Sequence, residues 1–442
     1  MNSFTDELSA RLDALRQEGL HRELRRVDSP QGTRLTLAGR SYLNFSANDY
    51  LGLAGHPALR EAAIRAVERY GVGSGASRLI CGSLAPFHEL EETLAHFKNT
   101  AAALTFATGY AAANGALGAL LGRQDIVILD KLVHACVVDA ARQSGATLRV
   151  FAHNDLNDLA EILQWADAKR SAAPAKPPQI LVVTESIFSM DGDAAPLREM
   201  VALKEKYGAW LMVDEAHGTG LYGPHQRGLA EELGVSDQIE IQMGTLGKAL
   251  GASGGYICGS RALVDYLINR ARSFIFSTAP VPAAAAAATA AIRMIQTPEG
   301  PARLKSLWQR VTQLTSALPI NREPIGKHST LESADHSPAP LGEGRGEGNP
   351  AHDVNRTSPA DPSPNDAGLI RSPIPSAIIP YIIGDESAAV AAAQQLRDQG
   401  IYIPAIRYPT VARGQARLRI TLNADHTTAD VSQLIAALAT LK

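Results

Sequence analysis

Five short apolar runs recur through the middle of the chain: Ala102 to Phe106, Asp125 to Leu129, Gln179 to Thr184, Ala209 to Val213 and Ile239 to Met243. Runs of this length, bounded by polar and glycine-rich residues, read as buried strands. Longer stretches of helical composition separate them, Ala111 to Leu121 being the strongest. Strand and helix in alternation predict an α/β fold with a mostly parallel, doubly wound sheet. The 442-residue length suits two domains or one large α/β unit.

In an open parallel sheet, ligands sit beyond the carboxyl ends of the strands. Gly109 follows the first run, His134 the second and Ser189 the third; Asp214 and His217 follow the fourth, Thr245 and Lys248 the fifth. Any one of these could be structural. A lone Asp or His after a strand is often a cap, and a lone lysine is most often an exposed loop residue. Groups of complementary chemistry gathered at one sheet edge are harder to read that way.

Lys248 lies in Met243-Gly244-Thr245-Leu246-Gly247-Lys248-Ala249-Leu250-Gly251, where glycines let backbone approach a bulky ligand and leave a long side chain room. Thr108-Gly109-Tyr110 sits between a strand and a helix start, so its backbone N–H groups form a nest suited to phosphate. Lysine, aspartate, phosphate nest and a histidine able to stack on a ring are the equipment of a pyridoxal-phosphate site. There the amine binds the cofactor aldehyde. The carboxylate keeps the pyridine nitrogen protonated, because a close opposite charge favours the charged form.

Other chemistries fail on residue pattern. Asp214-Glu215-Ala216-His217 spells the acidic box of a helicase, but Gly247-Lys248 cannot complete a P-loop, since position 242 is Gln and position 249 is Ala. Asp214 and His217 lack further ligands at metal-binding spacing. A net charge of −3 offers no basic field for nucleic acid or anionic lipid. Cys81, Cys136 and Cys258 are too scattered for a disulfide framework, which fits a reducing compartment. With no apolar run near ~18 residues and no signal-peptide pattern, the chain is expected to be cytoplasmic.

Flanking regions read more plainly. Phe4, Leu8, Leu12 and Leu15 fall on one helical face, and Arg22, Arg25 and Arg26 follow as a basic stretch that reads as solvated surface. The loop Gly71 to Arg78 is glycine-rich but follows no strand, so it is a poor dinucleotide fingerprint. Residues 322–372, rich in Pro, Ser, Gly, Asp and Glu, read as a disordered insert. Strand-like Ile378 to Ile383, Ile401 to Ile406 and Ala416 to Thr421, with helices Ala388 to Gln399 and Asp430 to Leu441, complete the chain.

Ser46-Ala47-Asn48-Asp49-Tyr50-Leu51-Gly52-Leu53, Asp214-Glu215-Ala216-His217-Gly218-Thr219-Gly220 and Thr245-Leu246-Gly247-Lys248 together resemble the α-oxoamine synthases. That family comprises fold-type I pyridoxal-phosphate acyltransferases, which join an amino acid to an acyl thioester with loss of carbon dioxide. The resemblance covers nearly the whole chain outside the insert. It implies a large cofactor-binding domain at 50–290 and a smaller α+β domain made from 1–49 and 291–442. It also implies a homodimer with active sites at the subunit interface. Lys248, His134, Asp214 and His217 would be catalytic. His134 would stack on the ring and touch substrate, while Ser189 and His217 would contact the ring oxygen. Gly109, Tyr110 and Thr245, with Thr278 of the partner subunit, would hold the phosphate. Arg22, Arg407 and Thr410 would bind substrate, Arg407 through the amino-acid carboxylate. The stretches Phe151 to Asp155, Phe188 to Asp193 and Ala405 to Val411 point to L-alanine and a pimeloyl thioester, carried on coenzyme A or a carrier protein. Other acyl-transfer activities of the family stay open, and a catalytically dead relative would be expected to lack the lysine.

Overall fold

In the computed structural model, which describes residues 3–173, 175–318 and 374–441, the five apolar runs become five strands of a seven-stranded sheet. Two short strands come first, β1 (Arg34–Leu37) and β2 (Arg40–Asn44). The large sheet follows, from β3 (Ala102–Phe106), β4 (Ile126–Asp130), β5 (Thr147–Phe151) and β6 (Ile180–Glu185) to β7 (Trp210–Asp214), β8 (Ile241–Thr245) and β9 (Gly255–Gly259). Its spatial order is β3-β9-β8-β7-β6-β4-β5, with β9 antiparallel to both neighbours and every other pairing parallel. β3, β4, β6 and β9 are buried at every residue, as a sheet covered on both faces requires.

Helices supply the covering by simple periodicity. In Ala85–Lys98, Phe87, Leu90, Leu94 and Phe97 fall at spacings of three and four and are all buried, and Asn99 ends the helix in the left-handed region. Helix Gly109–Leu120 is nearly all alanine and glycine on its packed side. A Cβ at Gly115 would lie 2.7 Å from Phe106 Cε1, so a small residue is what lets this helix sit on β3. The core around it includes Leu104, Leu117, Val127, Leu129, Val183 and Met243.

The remaining strands are β10 (Ile378–Gly384), β11 (Ile401–Tyr402), β12 (Ala405–Ile406) and β13 (Ala416–Thr421). β10, β13 and β12 form an antiparallel sheet. β11 adds in parallel to β2, so residues from both ends of the sequence share a three-stranded sheet with β1. The single strand expected over 401–406 is thus two strands in different sheets, broken at Ile403 and Pro404. The insert expected at 322–372 lies outside the described residues. Among the described residues, no helix is long and apolar enough to cross a membrane.

Candidate active site

Lys248 is the centre. It follows β8 after a turn in which Thr245 Oγ1 accepts from Gly247 N at 3.2 Å and donates to Gly254 O at 3.0 Å. Its Nζ lies 2.7 Å from His217 Nε2, and His217 Nδ1 lies 2.7 Å from the hydroxyl of Tyr50. Tyr50 is itself held: Arg419 Nη2 donates to its hydroxyl at 3.4 Å and Arg419 Nη1 donates to Asn48 Oδ1 at 3.0 Å. The Nε of the same guanidinium donates to Ser189 O at 2.5 Å. One arginine from β13 therefore ties Ser189 to the Asn48–Tyr50 turn.

Burial governs the electrostatics. Removal from water pushes the Lys248 amine below its ordinary value, opposed by the carboxylates of Asp214 and Glu185. His217 is pushed well below the usual imidazole range by burial and then by the Lys248 charge, so it is neutral at pH 7. Asp214 ends β7 directly opposite Glu185 at the end of β6. Burial raises Asp214, with Lys248 opposing. Burial and the neighbouring Asp214 push Glu185 up to about 8. Glu185 Oε2 accepts from Ser189 N at 3.0 Å, while its Oε1 is buried with no partner among the described residues.

The phosphate nest also takes shape. Thr108 caps helix Gly109–Leu120, its hydroxyl accepting from Ala111 N at 3.0 Å, and N–H groups of that first turn stay open. Gly255, which begins the antiparallel β9, pairs with both Phe106 and Thr245. A Cβ there would stand 2.5 Å from Thr108 O and 2.7 Å from Gly109 Cα, so only glycine lets the strand pass under the nest. A half-buried lysine, an opposed buried carboxylate and an anion nest at one end of the same sheet fit pyridoxal phosphate in donor chemistry and charge.

The residues expected from sequence divide into two groups. Gly109, Ser189, Asp214, His217, Thr245 and Lys248 gather at the carboxyl edge of the sheet, although Asp214 and Thr245 are the last residues of their strands rather than the first beyond them. His134 caps helix Ala135–Ser144, its Nδ1 accepting from Cys136 N at 3.2 Å, and burial pushes its imidazole below the ordinary value, with Asp214 opposing and Lys248 adding to the shift. Among the described residues only His217 of all these is hydrogen-bonded to Lys248, and the second group is placed by other contacts. Tyr110 donates to Asp139 Oδ2 at 3.0 Å. Thr278 forms an isolated bridge with Ser77. Arg22 and Thr410 are exposed. Arg407 donates to the backbone carbonyls of Gly19 and, at 2.9 Å, His21, which brings it to the segment carrying Arg22.

Tyr50, Glu185 and Arg419 are site residues that the sequence reading left without a role. A signal for Arg419 existed: Arg417 and Arg419 alternate with Leu418 and Ile420 in a short strand, and both arginines are buried. Arg417 pairs with Asp191 at 2.5 Å. Arginines on one strand face need partners when that face is covered.

Comparison with known proteins agrees with this geometry. The pattern of the family Aminotransferase class I and II matches residues 40–334 and 364–438. The 8-amino-7-oxononanoate synthase of Geobacter sulfurreducens is 41% identical over 436 residues, 99% of this chain and 98% of that protein. That of Anaeromyxobacter dehalogenans is 42% identical, over 98% and 95% of the two chains. Among solved structures, a serine palmitoyltransferase variant from S. paucimobilis with bound PLP-myriocin aldimine matches with a TM-score of 0.79 at 28% identity, covering 98% of this chain and 96% of that one. A serine palmitoyltransferase from Sphingomonas wittichii matches with the same TM-score and identity over 99% and 97%. On the lysine, the opposed carboxylates and relatives aligned over nearly its full length, this chain belongs to the 8-amino-7-oxononanoate synthase family, within the aminotransferases of class I and II.

Proposed function

We propose that the chain condenses L-alanine with a pimeloyl thioester to give 8-amino-7-oxononanoate, carbon dioxide and the free thiol carrier, a step of biotin biosynthesis. The observation that carries this is the Lys248–His217–Tyr50 relay beside buried Asp214. Kinship to full-length relatives with that named activity supports the choice of substrates.

Pyridoxal phosphate, when bound, supplies a covalent handle for the amino acid and an electron sink for the carbanion made at its Cα. Asp214 would hold the protonated ring nitrogen, whose charge would offset a burial that Lys248 opposes in this structure. The N–H groups at the start of helix Gly109–Leu120, with Thr245 Oγ1, would hold the phosphate. Lys248 Nζ takes the Cα proton of alanine and later returns one, a role suited to an amine whose pKa burial has lowered. Neutral His217 holds Nζ in place without adding a second positive charge. Thr278 of the partner subunit, Tyr110, Arg22, Arg407 and Thr410 keep the roles given by family resemblance.

The same reading takes the enzyme to be a cytoplasmic homodimer with its small domain built from 1–49 and 291–442. Support for the domain comes from β1 and β2 sharing a sheet with β11. Support for the dimer comes from helix Phe4–Gln17, which buries no residue and leaves Phe4 80% exposed. The test is direct: incubate the enzyme with L-alanine, glycine or L-serine and a series of acyl thioesters, and identify products by mass. The expected outcome is the C-acylated, decarboxylated product of alanine and the pimeloyl donor. Preference for glycine or serine would overturn the substrate assignment while leaving the chemistry intact.

A further inference from the structure

Of the arginines at 22, 25 and 26, only Arg22 has a role in the reaction proposed above. A cavity of about 610 Å³ opens beside the other two, where Arg25, Arg26 and Asp28 meet Leu37 and Tyr42 of the β1–β2 hairpin and Arg397 near the end of helix Glu386–Asp398. Leu37 and Tyr42 are buried and form its apolar floor.

The charges around this cavity do not balance. Arg26 is neutralised by Asp28 at 2.6 Å. Arg25 makes no hydrogen bond or ion pair among the described residues and is exposed. Arg397 Nη1 donates to Gln394 Oε1 at 3.0 Å, an uncharged acceptor, and its Nε is buried with no partner among the described residues. The adjacent Asp398 makes no ion pair with it among the described residues, and its Oδ1 accepts from Gln394 Nε2 at 2.7 Å. Arg40 lies over the Tyr42 ring at 5.3 Å and donates to the Asp398 carbonyl. Two guanidinium groups, those of Arg25 and Arg397, therefore share a cavity without a carboxylate of their own. Like charges held together in a partly enclosed space are unfavourable unless an anion joins them. The excess is two charges, which suits a doubly charged oxyanion. Planar guanidinium forks match phosphate geometry in particular.

The pocket is also tied along the chain to Arg22 and Arg407, the residues given substrate roles in the proposed reaction. Arg407 anchors the carbonyls of Gly19 and His21, fixing the start of the segment that runs through Arg22 to Arg25. Three residues of extended chain span at most about 10 Å.

We propose that this pocket is a phosphate subsite and that it holds a phosphate of the thiol carrier that brings the acyl group. The second half of this statement rests on the acyl-transfer reading; the first does not.

Calorimetric titration of the pyridoxal-phosphate-loaded enzyme at fixed ionic strength tests it with three probes: sodium pyrophosphate, coenzyme A, and pantetheine, which has the thiol arm without the phosphates. Pyrophosphate and coenzyme A should bind saturably and compete, and each should weaken about tenfold or more in Arg25→Ala and in Arg397→Met, as loss of a charged hydrogen-bond partner implies. Pantetheine binding should not change. Arg25 is exposed and unbonded, so its variant keeps the test decisive even if Arg397→Met folds poorly. Absence of saturable pyrophosphate binding, or binding indifferent to the substitution at Arg25, overturns the subsite. Pyrophosphate binding that coenzyme A does not displace overturns the carrier assignment. The titration reads no turnover, so an enzyme that binds coenzyme A here yet makes no product from alanine would count against the reaction and not against the pocket.

Discussion

His217 and His153 are both largely buried, yet the protein holds one neutral and the other positively charged. His217 has an amine at Nε2 and a phenol at Nδ1, and burial with the Lys248 and Arg419 charges holds it neutral. His153 feels burial in the same direction, yet Asp130 Oδ1 at 2.9 Å and Asp193 Oδ2 at 2.7 Å outweigh it and raise the ring to about 10. Burial alone therefore does not set the charge of an imidazole; the partners of its two nitrogens do. A doubly clamped, permanently charged histidine is a fixed brace, and Asn154 Nδ2 joins the same brace by donating to Asp193 Oδ2 at 3.0 Å. A neutral histidine between an amine and a phenol can take part when protons move. Structure and chemistry are divided between the two rings.

The largest effect expected on this comparison comes from removing the amine. Lys248→Ala should lower turnover by at least about 10³-fold, since a positioned acid–base group alone is worth roughly 10²–10⁴-fold and in the proposed reaction this amine also carries the cofactor. The visible absorbance of bound cofactor should change with it. His217 should shift upward towards its ordinary range while His153 stays put, which nitrogen NMR of the two rings can read. Normal activity in this variant would end the assignment of the site.

Asp214→Asn comes next. A neutral amide cannot hold a protonated ring nitrogen, so activity should fall by about a hundredfold or more. Asp214 is also the second cause of the raised Glu185 pKa, after burial. In the variant, Glu185 should therefore titrate below its present value of about 8. An infrared carboxyl band that still disappears only near pH 8 would show that the two carboxylates are not coupled.

These residues were legible in the sequence to different depths. Strands β3, β4, β6, β7 and β8 announced themselves because each is a continuous apolar run, and Lys248, Asp214 and His217 were found by where those runs stop. β5 and β9 were not seen. Thr147–Phe151 is an edge strand with exposed positions, so it lacks the apolar run. Gly255–Gly259 begins and ends in glycine, which reads as loop until one knows that Gly255 must pass close to Gly109. The Tyr50–His217 and Arg419–Ser189 contacts span 167 and 230 residues of sequence, and no periodicity carries information over that distance. His153 was quoted within a family stretch, but its brace depends on Asp130 and Asp193, which only folding brings to it.

His153→Gln tests the brace. The folded-state pKa of His153 lies above its unfolded value of 6.5, so its contribution is complete below about pH 6.5 and is lost as pH rises towards about 10. The full shift would imply several kcal/mol at 1.36 kcal/mol per unit. Asp193 is 42% exposed, however, and solvent screens its share, so about 1–3 kcal/mol is the expected size. Denaturant unfolding of parent and variant should show that difference at pH 6 and little of it at pH 10. A difference constant across this range would mean that His153 is not charged and that the contrast with His217 fails.

Tyr50→Phe gives the sharpest reading of the neutral ring. Tyr50 is fully enclosed, and its hydroxyl meets His217 Nδ1 at 2.7 Å, Asn48 Oδ1 at 3.2 Å and Arg419 Nη2 at 3.4 Å. Removing it strands Nδ1 in a dry pocket, at a cost of about 1–3 kcal/mol for an unsatisfied buried group. Arg419 and Asn48 still hold each other at 3.0 Å, so Ser189 and the turn should stay in place. The ring then has one partner left, Lys248. Two proton arrangements fit the parent: Nδ1–H donating to the phenol with Nε2 accepting from the amine, or the reverse. In the first, the variant loses a donor's acceptor and the ring should move its proton to Nε2, facing Lys248. In the second, the proton is already there and the ring spectrum should barely change. Nitrogen NMR of His217 in parent and variant separates the two cases. A ring that becomes positively charged in the variant would contradict both, because among the described residues no carboxylate bonds His217 as Asp130 and Asp193 bond His153.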